Sequence, residues 1–146
     1  MSRFLSILVF ALLAFATPAY GQKVAVVTEP ADPKTTQAYS MLIERRVKVQ
    51  AHLETLLSDY TSDWPPTKKL QAELDAIKIE MKKMSELDQP LIPKLTSGMG
   101  ALILRKTVLI SEIKELLEEE SSEWPPLKEK QRELELLDKQ IQKVLS

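Results

Sequence analysis

Trp64-Pro65-Pro66 and Trp124-Pro125-Pro126 stand 60 residues apart, and neither triplet can lie inside a helix. Proline fixes φ, lacks an amide proton and pushes the residue before it into extended space. Each triplet must therefore end one element and start the next. The flanks repeat at the same offset. Pro30, Pro33 and Lys34 match Pro90, Pro93 and Lys94, Thr36 matches Thr96, and Leu42-Ile43-x-Arg45 matches Leu102-Ile103-x-Arg105. Leu56-Leu57 matches Leu116-Leu117, and Lys68, Gln71, Glu73 and Leu74 match Lys128, Gln131, Glu133 and Leu134. In all, 18 of the 57 positions aligned between 30–86 and 90–146 are identical. A fixed period of this length marks a copied supersecondary unit.

Each copy reads as helix, turn, helix. Leu42, Val49, Leu53, Leu56 and Tyr60 fall at helical spacing, flanked by Ile43, Val47 and Leu57. After the prolines, Leu70, Leu74, Ile77, Met81 and Met84 step by 4, 3, 4 and 3, the spacing of a coiled-coil seam. Leu127, Leu134, Leu137, Ile141 and Val144 keep that register, with Lys130 in the one polar slot. Asp63 and Glu123 are candidate caps for the helices that follow the turns, and Asp32-Pro33 reads as a helix start. The first helix of each hairpin is expected to span about 28 residues and the second about 20. Gly98 and Gly100 weaken the start of the third helix by about 1 kcal/mol each relative to Ala. The expected fold is all-α: two tandem antiparallel, coiled-coil-like hairpins with short connections, packed as an up-down-up-down four-helix arrangement with both Trp-Pro-Pro turns at one end. An extended pair of hairpins packing on other copies is the alternative.

The N-terminus has a different character. Arg3 precedes an apolar run from Leu5 to Phe15, and Ala19-Tyr20-Gly21 fits a small-x-small cleavage site before Gln22, with Thr17-Pro18-Ala19 as the alternative. This is the pattern of a secretory signal peptide, and the run is short of the roughly 20 apolar residues a spanning helix needs. The expected organisation is a signal peptide over 1–21, a flexible arm over 22–33, hairpin 1 over 34–86, a linker over 87–93 and hairpin 2 over 94–146. Val24 to Val27 is β-prone with no partner strand. The exported chain is expected in the periplasm or outside the cell, and not to span the membrane.

Composition narrows function. There are 20 Lys/Arg and 21 Asp/Glu, interspersed, so the net charge is −1, becoming −2 when Arg3 leaves with the leader. No basic block is long enough to track a phosphate backbone, so no nucleic acid partner is expected. With no Cys and only His52, the chain lacks the ligand sets of common metal sites and the usual nucleophile–base pairs. Glycine-rich phosphate loops are absent. No catalytic residue, metal or cofactor is expected, and a small-molecule ligand is not. Glu118-Glu119-Glu120 with Glu123 reads as a solvated acidic face, because the first copy has Ser58-Asp59-Tyr60 in the run's place. Met81 and Met84 lie on the seam and read as core. The residues singled out for the turn or for partner contact are Tyr60, Trp64, Pro65, Pro66, Trp124, Pro125 and Pro126. Each Trp is read as packing over its own turn, with an exposed anchor as the alternative.

Tyr60-Thr61-x-x-Trp64-Pro65, followed by Leu70 and Glu73-Leu74, resembles the coiled-coil segments of bacterial polysaccharide chain-length determinant proteins, where a Tyr-Thr-x-x-His-Pro pattern starts a helix. Trp64 stands where that pattern has His, the second copy has Glu120-Ser121 in place of Tyr-Thr, and the two spanning helices of that family have no counterpart here. The whole chain is similar to small exported bacterial proteins built only of such hairpins. The resemblance implies a helical hairpin in a bacterial envelope. The expected function is that of a non-enzymatic structural or interaction protein, acting through coiled-coil surfaces on itself or on an envelope protein. The alternative is a periplasmic binding or chaperone-like module that holds cargo between hairpins, with a link to polysaccharide export.

Overall fold

Four helices account for most of the residues described by the computed structural model, 31–119 and 124–146. They are α1 (Gln37–Asp59), α2 (Pro65–Ser85), α3 (Ser97–Glu119) and α4 (Pro125–Leu145). No strand occurs among the described residues. The signal peptide, the arm up to residue 30 with its Val24–Val27 stretch, residues 120–123 and the side chain of Glu119 lie outside them.

The prolines act as expected. Trp64 and Trp124 take nearly the same extended conformation, φ −64° with ψ 131° and 125°, and Pro65 and Pro125 open the next helix. The capping role expected of Asp63 is not found. Trp64 itself holds the cap position and makes no side-chain cap bond. Pro65 and Pro66 carry no amide protons, so little is left for a carboxylate to satisfy. Glu123 lies outside the described residues.

The first helix of each hairpin is 23 residues long, shorter than the sequence suggests, and the second is 21. Pro33 starts only a 3-10 turn, Pro33–Thr35, with Asp32 accepting from the Lys34 amide. Thr36 then swings to ψ 154° and its Oγ1 accepts from the Tyr39 amide, so α1 has a start of its own. Thr96 does the same for α3, accepting from the Met99 amide at 3.4 Å. The matched threonines thus mark the helix starts. Between the hairpins, Gln89–Lys94 forms a second 3-10 turn that buries Ile92, and Leu95 beyond it is also buried.

Both hairpins are antiparallel, and α2 packs against α3 as well as α1. The packing is not an even ring of four. α3 packs against α1, α2 and α4, whereas α4 packs mainly on α3. A three-helix bundle therefore carries a fourth helix that packs mainly against α3. The shared core takes Leu42, Val49 and Leu53 from α1, Leu74, Ile77, Met81 and Met84 from α2, Met99 and Ile103 from α3, and Ile141 from α4. Burial of these side chains, at about 25 cal/mol per Å² of apolar surface, is the main source of stability.

α1 and α3 start side by side, and the Ala38 amide donates to the Leu95 carbonyl. Gly100 faces α1 at this crossing. A Cβ there would lie 2.9 Å from Ala38 Cα and 2.8 Å from Met41 Sδ, whereas a Cβ on Gly98 would meet nothing closer than 3.8 Å. The two glycines therefore differ in kind. Gly98→Ala should raise stability by up to about 1 kcal/mol through helix propensity. Gly100→Ala should lower it by about 1–3 kcal/mol, because backbone must move. Urea denaturation of both variants checks this, and a gain at Gly100 would contradict the packing described.

Candidate interaction surfaces

At the turn of hairpin 1 the Tyr60 and Trp64 rings stack, with centroids 3.8 Å apart and planes 15° from parallel. Trp64 is half-buried and borders a shallow groove with His52, Leu56, Pro66, Lys69, Leu70 and Glu115. The ring therefore covers the join between α1, α2 and the end of α3. Pro65 is exposed and Pro66 half-buried. Trp124 is half-buried and its carbonyl accepts from the Leu127 and Lys128 amides, with Pro125 and Pro126 exposed beside it. The second copy has Glu120 at the position of Tyr60, so the ring stack belongs to hairpin 1 alone. His52 is exposed, as its position beside the seam implies.

Three features escape a reading of apolar spacing. One is an ion pair present in both copies. Arg45 Nε donates to Glu73 at 2.6 Å, and Arg105 Nε donates to Glu133 at 2.9 Å, each across its own hairpin and each over 28 residues of sequence. All four residues are among the repeat's identities, and that was the available signal. The copies differ in depth, since the Glu73 side chain is 5% exposed and that of Glu133 42%.

A second feature is a charged cluster joining three helices. Lys106 of α3 reaches Glu80 of α2 at 3.0 Å and Asp138 of α4 at 2.6 Å, and Lys83 also pairs with Glu80. Burial pulls the Lys106 pKa down, but hydrogen bonds to Asp138 and Glu80 outweigh it, and the net shift is upward. Lys106 therefore stays an ammonium at neutral pH, which suits a structural cation and not an amine nucleophile. Nearby, Lys130, the polar slot of the α4 seam, pairs with Glu112 of α3. Glu118 of the acidic run pairs with Lys68 and Glu115 with Lys69, tying the start of α2 to the end of α3. The two turns therefore lie at one end of the molecule.

The third feature is a cleft of about 270 Å³ at the other end, where Met84, Leu87, Leu91, Leu95, Ile103, Ile141 and Leu145 face one another and Lys83, Glu80 and Lys106 form one wall. Thr67 is buried and its Oγ1 has no hydrogen-bond partner; Leu127 fills the same place in the second copy. Among the described residues no group of His, Asp and Glu is arranged to hold a metal, and no helix is long and apolar enough to cross a membrane.

No family model, no curated protein and no solved structure matches this chain.

The unequal burial of the copied ion pairs gives unequal consequences. Arg45→Ala should cost about 1–3 kcal/mol, because it strips a buried carboxylate of its partner. Arg105→Ala should cost less than about 1 kcal/mol, as exposed pairs do. Equal losses in chemical denaturation would contradict the burial difference.

Proposed function

We propose that the protein is an exported, non-enzymatic interaction protein that works in the cell envelope by presenting helical surfaces to further copies of itself or to an envelope protein. The observation carrying this reading is where the exposed apolar side chains lie. Ile43, Val47 and Leu57 run down one side of α1, and Leu136 and Val144 stand out from α4. Apolar side chains aligned on an outer helix face are the material of helix–helix recognition. The buried charges among the described residues, by contrast, are paired with one another, as structural ions are. The leader-like N-terminal sequence supplies the compartment.

The end cleft favours a second reading, in which the protein holds an apolar segment of cargo. Its wall of Leu87, Leu91, Leu95 and Leu145 would take an aliphatic chain, with Lys83 at the rim. The turn's resemblance to chain-length determinant proteins is the reason to include polysaccharide export among the settings of that reading.

Cell fractionation with N-terminal sequencing, followed by crosslinking in intact cells, tests the leading proposal. The expected result is a chain beginning at Gln22, recovered from the envelope fraction in crosslinked species. A chain that keeps Met1 and stays in the cytosol, or an exported chain that forms no crosslinked species, would contradict it.

A further inference from the structure

Every exposed apolar residue named on α4, and two of those on α1, has a counterpart 60 residues away, and each of these counterparts is buried. Val47 is 57% exposed and corresponds to Thr107, which is fully buried. Leu136 is 58% exposed and corresponds to Ala76, which is 4% exposed. Ile43 and Val144 are also exposed, and they correspond to the buried Ile103 and Met84. These buried counterparts make up the joint between the hairpins. Ile103 and Met84 line the same end cleft, Ala76 shares a groove with Ile110 of α3, and Thr107 lies about two helical turns beyond Gly100, which touches α1. The chain thus carries both halves of its own internal joint a second time, uncovered. The face by which α3 seats on hairpin 1 recurs on α1, and the face of hairpin 1 that receives it recurs on hairpin 2.

We propose that the protein associates head to tail, α1 of one copy seating on α3 and α4 of the next as α3 seats on hairpin 1 within a chain. This rests on the self-association reading above and gives it a geometry. The occupant is a second copy because the two uncovered faces match each other through the repeat. The close crossing is loosened by the exchange: Gly98 takes the place of Ala38, but Ser40 takes that of Gly100, and its Cβ would meet the Gly98 backbone, so α1 seats further from α3 between chains than α3 from α1 within one. Ala101, also exposed, stands for Met41. Charges fit as well. Ala72 and Lys114 border the same groove, and their counterparts, Arg132 and Glu54, have opposite charge. Arg46 meets Gln140 where Lys106 meets Glu80, so an ion pair becomes a hydrogen bond. The joint is therefore weaker between chains than within one. Because donor and receiver faces lie at different places on the molecule, the association is heterologous, and nothing in it limits the number of copies.

Sedimentation velocity on protein recovered from expression of the full chain tests this with two variants, Val47→Lys on the donor face and Leu136→Lys on the receiver face. Both side chains are exposed, so each variant should keep the native melting curve. The native chain should gain mass continuously with concentration, and each variant alone should need at least about tenfold higher concentration to do so, about 1.4 kcal/mol. Mixing the variants is the decisive arm. Val47→Lys keeps an intact receiver and Leu136→Lys an intact donor, so the mixture should form a heterodimer and stop there. A native chain monomeric at every concentration overturns the inference; the interaction role then stands or falls on crosslinking to another envelope protein. A closed dimer that neither variant weakens, or variants that fail to complement, overturns the head-to-tail geometry while leaving self-association intact.

Discussion

Where α3 crosses α1, one helix backbone rests on the other, because Gly100 offers no side chain to keep Ala38 away. That approach sets the distance between the hairpins. With α3 drawn against α1 and α2 together, its small residues Thr107 and Ser111 are buried and turn their hydroxyls back to the Leu104 and Val108 carbonyls. Hairpin 1 leaves part of the circumference of α3 uncovered, and α4 packs there. The result is a helix wrapped by three others, whose sequence from Met99 to Ile113 is correspondingly apolar around much of its circumference. The Lys106 cluster follows from the same geometry. An ammonium on α3 reaches Glu80 on α2 and Asp138 on α4 at once because both helices pack against α3 and bring their carboxylates to one nitrogen. Such buried ion pairs add little net stability but penalise other registers.

The two copies have kept one shape and diverged in what surrounds it. Both retain the threonine cap, the proline turn and the arginine–glutamate clasp across the hairpin. A clasp over 28 residues fixes how far one helix has slid along the other, which apolar seams alone specify loosely. The ring stack of Tyr60 on Trp64 and the buried charge of Glu80 belong to hairpin 1. Hairpin 2 has Glu120 and Gln140 at those positions. Hairpin 1 is thus built to be covered by a following hairpin. Hairpin 2 keeps the outline of such a receiver with exposed apolar side chains at Leu136 and Val144.

Much of this was legible in the residues. The seam of Leu74, Ile77, Met81 and Met84 is buried as its spacing implies, the Trp-Pro-Pro turns fall where the prolines demand, and the fold is all-α. Other features escape because they depend on distance in space. Propensity alone assigns Gly98 and Gly100 the same cost, and only the crossing with α1 separates them. Lys106 reads as an interruption in an apolar face until its partners arrive from two other helices. The sequence places the start of α1 at Pro33, since a proline start is a strong local signal and the Thr36 cap a quieter one, whereas the helix begins at Gln37. Of the residues singled out at the turns, Tyr60 and Trp64 come together, while Trp124 caps α4. The apolar positions beside the seam, Ile43 and Val47, gain their meaning only by comparison with buried Ile103 and Thr107.

Native-state hydrogen exchange measures, residue by residue, whether α3 is the enclosed helix and α4 the one more loosely attached. Amides from Ile103 to Ile113 should exchange only through global unfolding, whereas those of α4 should exchange through a local opening of lower free energy that leaves hairpin 1 and α3 protected. Protection in α4 equal to that in α3, with no separable opening, would mean a closed ring of four equivalent helices and would contradict the architecture described.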